Sequence, residues 1–104
     1  MATATLGGKS IEVNDEGFIT NQEDWSKEIA LDIAKNLGIE MTDRHWVVVN
    51  YMREDYAKTK KSPTVRRITQ NTDVNTKELY ALFPGGPGKK AANIAGVPKP
   101  AGCV

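Results

Sequence analysis

The residue best suited to chemistry in this chain is Cys103, its only cysteine, which lies one position before the C-terminal residue Val104. A cysteine thiolate is a good nucleophile, but an ordinary thiol is mostly protonated near neutral pH. We therefore expect Cys103 to act as a catalytic nucleophile that a partner protein has to activate.

The residues before Cys103 predict an extended arm over residues 96–104. Pro98 and Pro100 are two positions apart, which excludes a helix and favours extended backbone. Gly96 and Gly102 flank the prolines and offer points at which the chain can turn. A chain of this kind gains about 3 Å per residue, so the thiol would reach roughly 20 Å from the body. The arm residues expected to contact a partner are Gly96, Val97, Pro98, Lys99, Pro100, Gly102 and Val104.

Other interpretations of Cys103 stay open on the sequence alone. A lone cysteine is often a small buried hydrophobe, although penultimate residues seldom reach a core. A disordered tail with an incidental cysteine is a second alternative. A metal site needs several ligands, and the chain has one cysteine and one histidine. We therefore expect no metal and no bound cofactor.

Several runs of residues resemble landmarks of the DsrC/TusE family of sulfur-carrier proteins. The run IAGVPKPAGCV at 94–104 resembles the C-terminal arm of the family, and LFPGGPG at 82–88 resembles the segment before it. Further resemblances are DEGF at 15–18, DW at 24–25, HW at 45–46, YMR at 51–53 and SPTVR at 62–66. The resemblance implies a carrier that takes sulfane sulfur from an upstream persulfide donor protein, holds it as a persulfide on Cys103, and passes it to a downstream acceptor.

The chain departs from part of this family at one position. Members associated with sulfite reductase carry a second cysteine eleven residues before the penultimate one, where this chain has Ala92. An internal disulfide or trisulfide therefore cannot form. The single-cysteine pattern is similar to that of TusE, which implies transfer towards tRNA thiolation or sulfur oxidation. The acceptor is then a tRNA thiolase or a sulfite reductase-type enzyme, and the alternative function is a gamma subunit that docks its arm into dissimilatory sulfite reductase.

Composition excludes several classes of protein. The chain has 104 residues, a length typical of one domain, with 39% hydrophobic and 26% charged residues. A net charge of +1 gives no strong attraction to nucleic acid or to a membrane surface. No apolar run approaches the roughly 18 residues of a membrane span, and no apolar signal region begins the chain. With a lone cysteine, these features favour the reducing cytoplasm.

The hydrophobic periodicity predicts a mostly α (α+β) fold. We expect a compact bundle of about five helices over residues 1–95, a small N-terminal β-hairpin within 7–20, and the extended C-terminal arm over 96–104. Residues 1–6 are expected to be frayed, and the hairpin strands are placed at 9–13 and 18–20. Helices are predicted over 20–36 and 43–58, from 63, from 76, and over 87–95. Their predicted N-caps are Thr20, Thr42, Ser62 and Asn75, and Pro87 opens the last helix.

Three cations are candidate contacts for an anion or a partner: Arg66, Lys89 and Lys90. Arg66 and Arg67 are adjacent and point in different directions, so one is expected to pair with an acid and the other to be exposed. Lys89 and Lys90 fall in the first turn of the last helix, where cations oppose the helix dipole. They are either a tolerated surface feature or a device to neutralise a persulfide or sulfonate on Cys103 if the arm folds back.

A helix-turn-helix module is the alternative from another functional class. The third and fourth helices are short and consecutive, and the basic residues from Lys60 to Arg67 would contact phosphates. The candidate recognition helix carries Lys77 as its one cation beside Glu78, so direct nucleic acid binding is the weaker hypothesis.

Two aromatic residues have both structural and functional interpretations. Trp25 lies on the predicted apolar stripe of the first helix, which favours a core position over a base-stacking surface. His45 would be a general base or a first-turn surface or capping residue. No serine or cysteine is near His45 in the sequence, which favours the surface or capping role.

Overall fold

The computed structural model describes residues 2–98, in which five α-helices follow a two-stranded antiparallel sheet. The strands are β1 (Ala2–Leu6) and β2 (Lys9–Val13). The helices are α1 (Lys27–Asn36), α2 (Asp43–Thr59), α3 (Val65–Asn71), α4 (Thr76–Leu82) and α5 (Pro87–Ala95). The predicted fold class is confirmed. None of these helices is long and apolar enough to cross a membrane.

The hairpin lies nearer the N-terminus than the sequence predicted. β1 pairs with β2 so that Leu6 faces Lys9, which makes Gly7 and Gly8 the turn. The prediction of a frayed N-terminus is wrong for residues 2–6, which form β1, and the prediction of a return strand at 18–20 is also wrong. Ile19 forms only an isolated bridge to Val13. A two-residue turn lets five residues on each side pair in register, whereas the longer 14–17 turn leaves three residues for a return strand.

Helix α5 is at the centre of the molecule and packs against α1, α2 and α4. Its inward face is small, because the side chains of Ala91, Ala92 and Ala95 are fully buried there together with Ile94. Small side chains let neighbouring helix backbones approach closely, since the distance between helix axes depends on the side chains at the contact. The two ends of α5 are therefore held in fixed positions relative to the rest of the core.

The first helix begins later than predicted, at Lys27 rather than at Thr20. Its N-cap is Ser26, whose hydroxyl accepts a hydrogen bond from the backbone N–H of Ile29 at 3.4 Å. The preceding residues form a short 3₁₀ turn at Gln22–Asp24. Trp25 follows this turn in an extended conformation with φ −74° and ψ 142°, so it lies outside the helix. Its ring is half-buried and packs against the core, as expected from its apolar character.

His45 is a buried capping residue at the start of α2, not a surface residue. Its Nδ1 accepts from the backbone N–H of Thr42 at 3.1 Å, and its Nε2 lies 2.8 Å from the carbonyl oxygen of Leu82. A backbone N–H can only donate and a carbonyl can only accept, so the ring proton is assigned to Nε2. The predicted cap at Thr42 is confirmed, and His45 also ties α2 to the end of α4.

The third helix begins at Val65 because Thr64, not Ser62, is its N-cap. The Thr64 hydroxyl accepts from the backbone N–H of Arg67 at 3.2 Å. Arg67 forms a double hydrogen bond to Asp55, at 3.0 Å from Nε and 2.8 Å from Nη2. Arg66 is exposed. The expected division of roles between the two arginines is therefore confirmed, while the predicted Ser62 cap is wrong.

The predictions for α4 and α5 agree closely with the structure. Asn75 caps α4 by accepting from the backbone N–H of Glu78 at 2.8 Å. Helix α5 runs from Pro87 to Ala95 as predicted. Arg44 of α2 links this region to the rest of the molecule by ion pairs to Asp73 and Glu78 at 2.9 Å and 2.7 Å.

Candidate functional site

The predicted arm is described only at its beginning. Gly96, Val97 and Pro98 are within the described residues, whereas Lys99, Pro100, Gly102, Cys103 and Val104 lie outside them. Gly96 ends α5 in the left-handed conformation with φ 71°, and Val97 is fully buried. The backbone N–H of Val97 donates to the carbonyl of Ala92 at 3.1 Å. Gly96 is therefore a helix C-cap in this structure, and the chain stays on the body as far as Pro98.

Side chains from distant parts of the sequence bind the backbone carbonyls at this point. The indole Nε1 of Trp25 donates to the carbonyl of Ile94 at 2.9 Å, and Nη1 of Arg53 donates to the carbonyl of Ala95 at 2.8 Å. The side-chain amide of Gln22 donates a hydrogen bond to the carbonyl of Gly96. The hydroxyl of Ser62 donates one to the carbonyl of Pro98. We call Gln22, Trp25 and Arg53 the exit clamp.

The three residues of the exit clamp also contact one another. The guanidinium carbon of Arg53 lies 3.9 Å from the centroid of the Trp25 ring, a cation–π arrangement. Nη1 of Arg53 also donates to Oε1 of Gln22 at 3.2 Å. Among residues 2–98 the Arg53 guanidinium has no carboxylate partner, and burial lowers its pKa. Its contacts with the other clamp residues are therefore a hydrogen bond to Gln22 and stacking on Trp25.

A cavity of about 270 Å³ lies beside Ser62, near the point where the chain passes Pro98. Its lining residues are Asp55, Thr59, Lys61, Ser62, Pro63, Thr64 and Arg67. The hydrogen bonds from Arg67 hold the pKa of Asp55 below its usual range, so this carboxylate is ionised and paired at neutral pH. The negative charge of Asp55 is thus paired with the guanidinium of Arg67 within the body.

The lysines at the start of α5 line a second cavity, of about 370 Å³. Lys90 donates from Nζ to the carbonyl of Pro84 at 2.5 Å, while Lys89 is exposed. Oδ1 of Asn93, another lining residue, is buried and has no hydrogen-bond partner among residues 2–98. The structure brings Lys89 and Lys90 together here and leaves Arg66 apart on α3, outside this lining.

The described body offers few groups for catalysis. Within residues 2–98 no cluster of three or more His, Cys, Asp or Glu side chains is arranged to hold a metal ion. Both ring nitrogens of His45 are engaged with backbone groups, which leaves neither nitrogen for a reacting proton. Ala92 is fully buried in α5. The side chains that the body directs at the chain end contact backbone carbonyls between positions 94 and 98.

Sequence reasoning missed Gln22 and Arg53 as parts of this site. Their partners are backbone carbonyls 74 and 42 positions away, and a carbonyl carries no residue-specific signal. The sequence did contain one indication, because Arg53 and Trp25 both fall in runs that resemble landmarks of the family.

Comparison with known proteins covers almost the whole chain. The family model described as "DsrC like protein" matches residues 5–104. Over 105 residues and the full length of both chains, the sequence is 40% identical to the dissimilatory-type sulfite reductase subunit gamma of Nitratidesulfovibrio vulgaris. It is 38% identical over 104 residues to the sulfurtransferase TusE of Escherichia coli (strain K12), covering 93% of this chain and 95% of that protein.

The fold comparison gives the same result. The NMR structure of DsrC from Allochromatium vinosum matches with a TM-score of 0.86 and 39% identity, over 99% of this chain and 98% of that chain. These similarities agree in family and in extent, and they include the C-terminal run that carries the cysteine. The chain therefore belongs to the DsrC/TusE family of sulfur-relay proteins.

Proposed function

We propose that this chain is a sulfur carrier that accepts sulfane sulfur as a persulfide on Cys103 and delivers it to an acceptor protein. The observation that carries the proposal is the position of its single thiol. Cys103 lies five residues beyond Pro98, whose carbonyl is bound by Ser62 at the surface of the body. This position suits presentation of a sulfur atom to a second protein.

The proposed chemistry is a pair of thiol exchange steps without net oxidation. The Cys103 thiol loses a proton, and its thiolate attacks the outer sulfur of a persulfide on the donor. The donor S–S bond breaks, its electron pair leaves with the donor thiolate, and a new S–S bond forms on Cys103. An acceptor thiolate then attacks the outer sulfur on Cys103 in the same way, and Cys103 returns to the thiolate.

The absence of a second cysteine supports a carrier role. A neighbouring thiol in the same chain would attack the Cys103 persulfide, release the sulfur and leave a disulfide. The chain has no other cysteine, and Ala92 occupies the position where the sulfite reductase-associated pattern has one. The division into a body of 1–95 and an arm of 96–104 remains a prediction, as do the cytoplasmic location and the contacts of Arg66, Lys89 and Lys90 with a partner.

Two acceptors fit the relatives. The similarity to a sulfurtransferase TusE, together with the single cysteine, favours a relay towards tRNA thiolation. The similarity to a sulfite reductase gamma subunit supports the second candidate, in which the arm docks into a dissimilatory sulfite reductase. Retention of the purified chain on an immobilised dissimilatory sulfite reductase, lost on removal of residues 99–104, would favour the second candidate.

The carrier function is tested by loading the protein with sulfur and measuring its intact mass. Two donors are used: glutathione persulfide and a cysteine desulfurase charged with L-cysteine. We expect the wild-type chain to gain whole sulfur atoms that dithiothreitol removes, and Cys103→Ser to gain none. The matched control moves the thiol to an exposed position on α2, by Asn50→Cys in the Cys103→Ser background.

Comparing the loading of Cys103 with that of the relocated thiol distinguishes a carrier site from a cysteine that is merely exposed. Glutathione persulfide should load both positions, because a small donor needs only access. The protein donor should load Cys103 faster than Cys at position 50. Equal rates from the protein donor, or a wild-type chain that neither donor loads, would contradict the carrier function.

A further inference from the structure

The end of α5 is bound more completely than a helix C-terminus requires. The last carbonyls of a helix have no intrahelical partner, and water usually satisfies them at a surface. Here the carbonyls of Ile94, Ala95 and Gly96 each accept a hydrogen bond from a side chain of the exit clamp. Three successive peptide groups are therefore fixed by residues that belong to two other elements.

Arg53 contacts and orients the other two residues of the clamp. Arg53 donates to Oε1 of Gln22, which turns the Gln22 amide so that its Nε2 faces the carbonyl of Gly96. Arg53 also stacks on Trp25, whose indole N–H is thereby aimed at α5. The extended backbone at Trp25, which shortens the first helix relative to its sequence pattern, puts the ring in this position.

Burial partly desolvates the guanidinium of Arg53. It is half-buried, and none of the residues 2–98 gives it a counter-ion. A desolvated cation without an acidic partner is unfavourable unless its hydrogen bonds compensate. Its two described hydrogen bonds go to the base of the C-terminal segment and to the residue that binds that base.

The backbone of Gly96 packs directly against the indole of Trp25. A β-carbon at this position would lie 2.4 Å from Cδ1 of Trp25, so the indole is in contact with the backbone. Val97 is buried directly after it, and the carbonyl of Pro98 is bound by Ser62. The first point from which the chain can leave the body is therefore Pro98.

We propose that Gln22, Trp25 and Arg53 are positioning residues for sulfur transfer, which fix the place and direction from which the segment bearing Cys103 leaves the body. This inference rests on the carrier function proposed above. With the exit at Pro98, Cys103 is five residues away along the sequence, and an extended chain of that length spans roughly 16 Å at about 3.1 Å per residue. If opening the clamp also releases Val97 and Pro98 from the body, the exit moves back to Ala95, and the span grows to roughly 25 Å over eight residues.

The effective concentration of the Cys103 thiol at a docked partner should therefore differ between the closed and the open clamp. The volume within reach of a tethered thiol grows with the cube of the span, so a change from about 16 to about 25 Å should lower the effective concentration of the thiol roughly fourfold. Reaction with a small reagent has no such dependence, because the reagent diffuses to the thiol wherever it is. A positioning role therefore predicts a selective loss of reaction with protein donors.

The test uses the native cysteine as the labelling site. A nitroxide on Cys103 broadens the amide NMR signals of every residue that it approaches. In the wild-type chain we expect broadening on the face around Gln22 and Ser62. In Arg53→Met and Gln22→Ala we expect it to weaken there and to spread to distant faces such as β2 and α4. In parallel, loading by the charged cysteine desulfurase should fall about fourfold in both variants, with loading by glutathione persulfide unchanged.

The control is Arg44→Met, which removes the ion pairs of another arginine on α2, nine positions and about 13 Å along the helix from Arg53. It should lower stability and leave the broadening pattern unchanged. Gln22→Ala is a milder change than Arg53→Met and keeps the test valid if the latter does not fold. A wild-type pattern in both clamp variants, or even broadening over all faces of the wild-type chain, overturns the proposal. Because the nitroxide experiment involves no sulfur transfer, failure of the carrier function would be seen separately, as absent loading of the wild-type chain.

Discussion

At Gly96 two independent constraints exclude a side chain: a β-carbon would lie 2.4 Å from Cδ1 of Trp25, and the backbone φ is 71°. Gly38 provides a matched comparison, since it has φ 74° and, apart from its chain neighbours, no described residue has a heavy atom within 4 Å of its β-carbon position. Both positions carry the cost of the left-handed conformation, about 1 kcal/mol for alanine. Only Gly96 adds a steric clash with an aromatic ring that hydrogen bonds hold in place.

We therefore predict that Gly96→Ala lowers the free energy of unfolding by about 2–4 kcal/mol, and Gly38→Ala by about 1 kcal/mol. Urea denaturation followed by circular dichroism measures both. Equal losses in the two variants would mean that Trp25 moves away at little cost, and that the contact with Gly96 does not fix the chain.

Asp55 makes stability depend on pH in a predictable direction. The hydrogen bonds from Arg67 lower the pKa of the buried Asp55 carboxylate in the folded state. A lowered folded-state pKa stabilises the protein above the unfolded value near 4, and this contribution is lost as pH falls through the folded value. We predict that Asp55→Asn lowers the free energy of unfolding at pH 7 and that its difference from wild type shrinks below about pH 4.

The measurement is urea denaturation of both chains at several pH values between 7 and 2.5. The control is Glu54→Gln, because the Glu54 pair with Lys58 is exposed on both sides and should contribute little. A constant difference between Asp55→Asn and wild type down to the lowest pH would show that the bond to Arg67 does not depend on the charge of Asp55.

For whole helices and strands, the sequence predicted an element correctly where the residues that decide it lie close together in the chain. The N-cap residues Thr42 and Asn75 and the opening Pro87 each act within one turn of their own helix, so the starts of α2, α4 and α5 follow from the sequence. It failed where a distant partner decided the outcome. The run 2–6 has small side chains and becomes a strand through pairing with β2. Trp25 leaves its helical pattern because its indole binds α5.

The candidate site also has one part that the sequence predicts and one part that it does not. The Cys103 segment could be recognised because its cysteine and prolines are unusual residues at a specific spacing. The exit clamp could not, because Gln22 and Arg53 act on backbone carbonyls that any sequence would provide. Only the folded chain brings the segment before α1, the middle of α2 and the end of α5 together.

His45 connects two helices, and its role is best tested at this scale. It accepts from Thr42 at the start of α2, donates to the carbonyl of Leu82 at the end of α4, and meets the Phe83 ring edge-on at 5.1 Å. We predict that His45→Ala lowers the free energy of unfolding by about 2–4 kcal/mol, since it leaves a void and two backbone groups without partners.

The matched change is Asn75→Ala, which removes the N-cap of α4 and should cost about 1 kcal/mol. The His45→Ala chain, under conditions in which it is folded, should load sulfur on Cys103 at the wild-type rate from both donors. A loss of loading in the folded variant would restore the interpretation of His45 as a general base.

For the molecule as a whole, the position at which the body ends can be located by truncation. Val97 is the last residue that is described as buried, and Pro98 follows it at the surface. Removal of residues 99–104 should therefore change the free energy of unfolding by less than about 0.5 kcal/mol. Removal of residues 96–104 takes away Val97 and the Gly96 cap, and should cost about 2–4 kcal/mol.

Chemical denaturation of the two truncated chains against full length decides whether the body extends past the predicted boundary at 95. Replacement of Val97 by alanine in the full-length chain is the control, because it removes the buried side chain and keeps the backbone bonds of the clamp. It should account for a large share of the longer truncation's cost. Equal stabilities for the two truncated chains and the full-length chain would mean that residues 96–98 belong to the arm. They would also mean that the exit clamp contributes no net stability at the end of α5.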